Sequence, residues 1–363
     1  MAFDGVFNHP EEEARGLNNG LFPGGIGAAL ATTFHDAGHH VYATARDPAK
    51  LKPLADKGII TLPLDISSAD SIASAVSSVS ASAAGATGLD ILVNNAAASY
   101  SMPVADVSLR EARKLFDTNV WGHIAVTQAF LPLLLLRSSS SSSSDNGSIT
   151  TPRTWWGSIG GLCGGSGQQP RQPMIVNHTS VGSVMAVPFQ SVYNASKAAL
   201  AMLSQTLRME LAPFGVRVME LKTGGVRTNI IANNNVHKGS RGGKGSTDPT
   251  SSSSLPPGAG HLPADSIYAP ARSVVGDAMS QEGLADRGIT PEQWAREVTA
   301  VLLGDNPPQV IWKGESATLA WAATLLPSGL FEGFLKMTKL DEVERILKED
   351  RHGKSADLPA ADN

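Results

Sequence analysis

The chain of 363 residues contains one cysteine, Cys163. Without a second thiol there is no intrachain disulfide and no cysteine-based metal cluster, which suits a reducing compartment. Excess charge is also scarce. With 29 Lys+Arg against 33 Asp+Glu, the net charge is -4, so nothing predicts nucleic acid or an anionic membrane held by bulk electrostatics. No uninterrupted apolar run reaches the ~20 residues that span a bilayer. The N-terminus carries Glu11, Glu12 and Glu13 in place of a basic-then-apolar pattern, so no secretory signal is expected. No Cys/His cluster has ligand spacing, and no metal is expected.

What is present is a hydrophobic content of 42%, ample for a large core. Strand-like runs at Val41–Ala45, Ile59–Leu64, Leu89–Val93, Met174–His178, Val216–Leu221 and Gln309–Trp312 alternate with helical patterns. Those helical stretches are Gly25–Ala37, Ser67–Ala84, Leu109–Leu136, Val192–Ala212 and Pro291–Leu303. Such alternation predicts an α/β class, a doubly wound, Rossmann-type and mostly parallel sheet with helices on both faces. One domain is expected over 1–363. Two segments break the rhythm. The 138–173 stretch opens with an unbroken serine tract and holds Trp155, Trp156 and Cys163. Its composition predicts a disordered surface insertion. The Gly/Ser-rich stretch at 233–261 falls just after a strand's C-terminus, where substrate loops of open α/β sheets sit.

Chemistry is concentrated in Tyr193-Asn194-Ala195-Ser196-Lys197, with Ser180 upstream. The Ala/Leu-rich continuation predicts a helix, which places the phenol and the ammonium on one face. A cation one turn away favours the phenolate, and a lowered tyrosine can exchange a proton with an alcohol or carbonyl oxygen near neutral pH. A second motif, Gly24-Gly25-Ile26-Gly27 after Gly20, opens a helical pattern and brings backbone amides to a pyrophosphate. About twenty residues on, the run His40–Ala45 ends at Arg46, a residue that accommodates a 2′-phosphate and so favours NADP over NAD. Asp47, before Pro48, reads as a helix N-cap.

With these segments, Leu64-Asp65-Ile66, Leu92-Val93-Asn94-Asn95-Ala96-Ala97, Asn119-Val120-Trp121-Gly122 and Thr223-Gly224-Gly225-Val226-Arg227-Thr228 follow in order. From about Pro23 to Leu347 the chain resembles a short-chain dehydrogenase/reductase. Thr44–Pro48, Phe116–Gly122 and Val310–Gly314 are similar to fungal NADPH-dependent 1-acyldihydroxyacetone-phosphate reductases, a subgroup with members in secondary-metabolite pathways. The resemblance implies Tyr193 as acid/base and Lys197 as the group that lowers its pKa and holds the nicotinamide ribose. It implies Ser180 as the orienter of the substrate oxygen and Asn119 as keeper of a water-linked proton path. It further assigns cofactor contact to Gly20, Gly25, Ile26, Gly27, Arg46, Asp65, Asn94, Asn95, Val226 and Thr228. Asp65 reads equally as a helix cap, and Asn94 and Asn95 as strand-end residues. His178 reads as a core-facing strand residue.

Function is therefore expected to be NADP(H)-dependent interconversion of a carbonyl and a secondary alcohol on a hydrophobic small molecule, a lipid ketone or a secondary-metabolite intermediate. The apolar C-terminal stretch Leu319, Trp321, Leu325, Leu326, Leu330, Phe331 and Phe334 has helical spacing. It is expected to pack in the core or between subunits of a homo-oligomer. Its sharper reading is peripheral attachment of a cytoplasmic protein to endoplasmic reticulum or lipid droplets.

One departure stands out. Where the family places its first strand, Ala14–Phe22 shows neither β-branched residues nor alternation, and Met1–Asn19 is expected to form no central strand. That expectation feeds a second function class, a cofactor-poor interaction protein or the product of an imperfect gene model.

Overall fold

Parallel pairing of the apolar runs organises the computed structural model. It describes residues 14–142, 172–228, 262–281, 287–327 and 340–356. The strands are β1 (Arg15–Asn19), β2 (His40–Ala45), β3 (Ile60–Pro63), β4 (Ile91–Asn94), β5 (Met174–His178), β6 (Arg217–Thr223) and β7 (Val310–Lys313). They form a seven-stranded sheet in the order β3-β2-β1-β4-β5-β6-β7, with every pairing parallel. The order reverses between β1 and β4, the crevice where open α/β sheets bind ligands.

The main helices are α1 (Ile26–Asp36), α2 (Lys52–Ala55), α3 (Ala69–Ala81), α4 (Leu109–Phe116), α5 (Gly122–Ser142) and α6 (Ser191–Leu211). After them come α7 (Arg272–Ser280), α8 (Pro291–Leu302), α9 (Ala317–Ala323) and α10 (Leu340–Ala356). One face of the sheet packs α1 and α8 around a fully buried Trp294 with Leu30, Phe34, Val298 and Leu302. The opposite face packs α3 and α5 through Ile72, Val79, Val126, Phe130 and Leu134. Burying each such side chain contributes roughly 1.5–3 kcal/mol. Caps agree with these boundaries: Ser68, Ser108 and Thr290 each accept a backbone N–H in the first turn of α3, α4 and α8.

The expectation for the N-terminus fails at Arg15–Asn19. This strand lies centrally, pairing with β2 from Arg15↔His40 to Asn19↔Thr44 and with β4 from Gly16↔Ile91 to Asn18↔Val93. Hydrogen bonds replace the missing β-branched residues. Leu17 is fully buried, and the Arg15 N–H donates to Asp90 Oδ2 at 2.8 Å. Asn18 Nδ2 donates to the Gly27 carbonyl at 2.9 Å, and Asn19 Nδ2 to Asn94 Oδ1 at 3.0 Å. Asn19 Oδ1 accepts the N–H groups of Asn95 and Ala96, both at 2.8 Å. Tertiary context has overridden propensity. Glu11–Glu13 lie outside the described residues. With β1 in place, the cofactor-poor reading loses the observation that prompted it.

The 143–171 part of the serine-rich segment, the 233–261 stretch and Leu330, Phe331 and Phe334 also lie outside the described residues. Leu109–Ser138 forms one helical run that by length and composition could cross a membrane. His123, Thr127 and Gln128 interrupt its apolar sequence, and 44% of its most apolar window is buried.

Candidate active site

Ser180, Tyr193 and Lys197 meet at the C-terminal edge of the sheet. β5 delivers Ser180 just past His178, on a short 3₁₀ turn (Val181–Ser183) that Ser180 itself caps. The Gly182 N–H donates to Ser180 Oγ at 3.1 Å, which leaves the hydroxyl proton available as a donor. Ser180 lies near enough to the Tyr193 phenol to oppose the effect of its burial. Tyr193 and Lys197 lie in the first two turns of α6, and Lys197 Nζ sits 5.9 Å from the Tyr193 ring centroid. The ammonium is buried and donates to the His178 carbonyl at 2.9 Å.

The electrostatics correct one sequence expectation. Burial pushes the Tyr193 phenol above its ordinary value, with Ser180 beside it acting in the opposite direction. Helical spacing brought the two side chains to the same face, but the ammonium turned toward the His178 carbonyl. Burial in turn lowers Lys197 to about 8.

Two neutral imidazoles flank the ammonium. Burial, then the Lys197 charge, lower His123 to about 3 and hold His178 well below its ordinary value. His178 Nδ1 donates to Asn95 Oδ1 at 2.9 Å, and its Nε2 accepts from the Thr223 hydroxyl at 2.6 Å. The ring lies 5.5 Å from that of Trp294. This histidine is core-facing, as its strand position suggests. It is also a bridge between the β4 loop and the end of β6, which the sequence alone did not reveal.

Asn119 lies on a π-helical turn (Asp117–Trp121) between α4 and α5 and is fully buried. Its amide accepts from the Ala98 N–H at 2.8 Å and donates to the Ala98 carbonyl and Ser196 Oγ, each at 3.0 Å. The side chain thus anchors the β4 loop to α6. Asn94 is likewise committed to the interior, with Nδ2 donating to Thr127 Oγ1 and Asn177 Oδ1 at 3.0 and 2.9 Å. Asn95 Nδ2 reaches the carbonyls of Asn19 and Gly20 at 3.1 and 3.2 Å.

The glycine turn stands at the same edge. Gly20 and Gly24 have φ of 76° and 71°, which favour glycine. A Cβ on Gly20 would come within 2.3 Å of the Ala96 backbone, and one on Gly27 within 2.6 Å of Asn95 Nδ2. These glycines let β1, α1 and the β4 loop close on each other. Gly25 caps α1 without a side-chain bond and no acidic residue occupies its first turn, which begins at Ile26. Arg46 is exposed at the end of β2. Asp47 caps the following 3₁₀ turn by accepting the Ala49 N–H at 3.1 Å. Asp65 accepts the Ser67 N–H at 2.9 Å, a local turn before α3. Val226 bridges to Ile289 and packs on the core, while Thr228 closes the described part of that loop. A groove of about 440 Å³ runs from the glycine turn along α1 toward Lys50 and Arg296. It does not reach Ser180 or Tyr193. Among the described residues no His/Cys/Asp/Glu group could hold a metal.

The family model described as short chain dehydrogenase matches residues 23–151 and 168–239. The chain belongs to the short-chain dehydrogenase family. A short-chain dehydrogenase/reductase of Pestalotiopsis microspora is 42% identical over 333 residues, covering 92% of this chain and 96% of that protein. An NADPH-dependent 1-acyldihydroxyacetone phosphate reductase of Schizosaccharomyces pombe is 36% identical over 220 residues, covering 61% of this chain and 62% of that protein. Among solved structures, a short-chain dehydrogenase of Streptomyces avermitilis shares the fold at 23% identity, with a TM-score of 0.59 over 93% of this chain and 99% of that one. Family membership makes the chain an oxidoreductase of alcohol and carbonyl groups.

Proposed function

We propose that this short-chain dehydrogenase uses NADP(H) to interconvert a carbonyl and a secondary alcohol on a hydrophobic small molecule. The observation that carries this reading is the meeting of Ser180, Tyr193 and Lys197 at the sheet edge that also holds the glycine turn and Arg46. The residues present fit the cofactor. α1 offers an N-terminus free of side-chain caps and first-turn carboxylates, which suits a pyrophosphate. The exposed Arg46 guanidinium suits a 2′-phosphate. The NADPH dependence in the name of the fission-yeast relative supports the same choice.

Bound NADP(H) supplies the hydride. Everything else falls to the side chains. Ser180 donates its hydroxyl proton to the substrate oxygen and fixes its position. Tyr193 gives that oxygen a proton in reduction and takes it back in oxidation. Lys197, held by the His178 carbonyl, places a positive charge behind the phenol. Asn119 and Asn95 hold the β4 loop in register with α6 and β5. A lipid ketone is the substrate class favoured by the fission-yeast relative's name, with a secondary-metabolite intermediate as the other candidate.

Fluorescence titration with NADPH and NADH, followed by a carbonyl panel, tests the reading. Tighter NADPH binding and NADPH oxidation with at least one apolar ketone are expected. Equal weak binding of both cofactors would sink it. Leu319, Trp321, Leu325 and Leu326 are 47–69% exposed on and after α9. They support peripheral membrane attachment of a cytoplasmic protein, which co-sedimentation with phospholipid vesicles would detect.

A further inference from the structure

A buried ion pair stands directly behind Ser180. Glu220 and Lys222, two apart on β6 and therefore on one face, form a salt bridge with side chains 0% and 6% exposed. Burying two charges is costly, and replacing such a pair by apolar residues of similar volume is often neutral or stabilising. Glu220 adds to that cost, because its Oε2 finds no hydrogen-bond partner among the described residues. Stability alone therefore gives little reason for the pair.

Its contacts suggest another. Glu220 Oε1 accepts the hydroxyl proton of Thr179, the residue before Ser180, at 2.9 Å. Lys222 Nζ donates to Ser183 Oγ, at the end of the turn that Ser180 caps, at 2.8 Å. Inside that turn the Ser183 N–H reaches the Ser180 carbonyl at 2.9 Å, and the Gly182 N–H reaches Ser180 Oγ. Trp312 on β7 closes the far side, with Lys222 Nζ 5.5 Å from its ring. On the α6 side, Arg208 donates to the Val218 carbonyl at 2.9 Å, and Glu220 acts on its charge.

We propose that the Glu220–Lys222 pair positions Ser180, gripping the residue before it and the turn after it so that its hydroxyl stays directed at Tyr193. The pair touches neither Tyr193 nor the reacting atoms and acts through Ser180. In turnover this rests on the reading of Ser180 and Tyr193 given above, but its effect on the phenol needs neither cofactor nor substrate.

The test replaces the pair by Glu220→Leu with Lys222→Met, which keeps the net charge and removes both grips. Three quantities are read: melting temperature, turnover, and the ionisation of Tyr193 in the ligand-free protein. The last comes from tyrosinate absorbance, with Tyr193→Phe in each background subtracting Tyr42, Tyr100 and Tyr268. The expected result is an unchanged or higher melting temperature, turnover lower by ~10–100-fold as for a misplaced catalytic group, and Tyr193 ionising at higher pH. That upward shift follows because Ser180 in its present place opposes the effect of burial on the phenol. A merely structural role would move the melting temperature and leave the tyrosine titration in place. Wild-type turnover and titration, or lost turnover with an unmoved titration, would overturn the proposal. If the double variant does not fold, Ser183→Ala decides, since it cuts one grip and leaves the pair intact. It should shift the titration the same way, and an unshifted titration would reject the idea. If the titration shifts while no substrate turns over, the positioning stands and the proposed reaction fails.

Discussion

At the residue scale the site rests on three side chains whose roles separate by environment. Tyr193→Phe keeps the ring in its pocket and removes the proton. Turnover should fall by the ~10²–10⁴-fold typical of lost acid/base catalysis with NADPH affinity little changed, and activity within a few-fold of wild type would reject the assignment. Arg46→Ala should weaken NADPH by roughly 10–100-fold, the worth of a charge-assisted hydrogen bond, while NADH binding stays put. Equal losses for both would make Arg46 a structural residue. Lys197 carries a pH signature. Burial lowers it from 10.5 to about 8, so between those values the unfolded chain binds the extra proton. The stability attributable to this residue is then present above that window and lost as pH falls through about 8. Measured by denaturant unfolding, wild type should gain on Lys197→Met as pH rises from 8 toward 10. A flat difference across that range would contradict the buried ammonium.

At the scale of elements, β1 decides whether the cofactor edge is rigid. Its side chains offered no pattern, yet Asn19 ties it to β4 through Asn94 Oδ1 and through the N–H groups of Asn95 and Ala96. Asn19→Ala leaves those two buried N–H groups without their acceptor, at ~1–3 kcal/mol each. We expect a loss of ~2–4 kcal/mol and weaker NADPH binding, because the glycine turn starts at the next residue. Chemical denaturation together with cofactor titration checks both, and an Asn19→Ala protein as stable as wild type would show that the backbone ladder alone holds β1. The helices were easier to foresee. Ala/Leu spacing marks α6 in advance, whereas the π turn at Asp117–Trp121, inside what reads as one helix, has no signature in spacing.

Across the whole molecule, one face of the sheet is tied to the site through a single large side chain. Trp294 fills the space under α1 and stacks beside His178, the bridge between the β4 loop and Thr223. Trp294→Ala should cost ~3–5 kcal/mol, seen as a lower denaturation midpoint with an unchanged slope. Its NADPH affinity should also fall, since His178 loses its packing partner. Retained affinity with lost stability would show that the bridge does not depend on the core beneath it.

The sequence by itself determined the doubly wound class and the positions of β2 to β7, and it offered Ser180, Tyr193, Lys197 and Arg46 as candidates. The strands, the Tyr193–Lys197 pair and Arg46 are written in local signals (apolar runs, helical spacing, a basic residue at a strand's end), and Ser180 in the family resemblance. Only the tertiary structure decided that Arg15–Asn19 is the central strand, that Asn94 and Asn119 spend their amides on interior partners, and that burial raises the phenol. The physical reason is that these properties belong to pairs of residues far apart in the chain. Asn19 and Asn94 meet across 75 positions, and Lys197 finds the His178 carbonyl 19 positions back. A polar side chain's preference for strand, core or surface is set by the partner it finds, and that partner exists only once the sheet has closed.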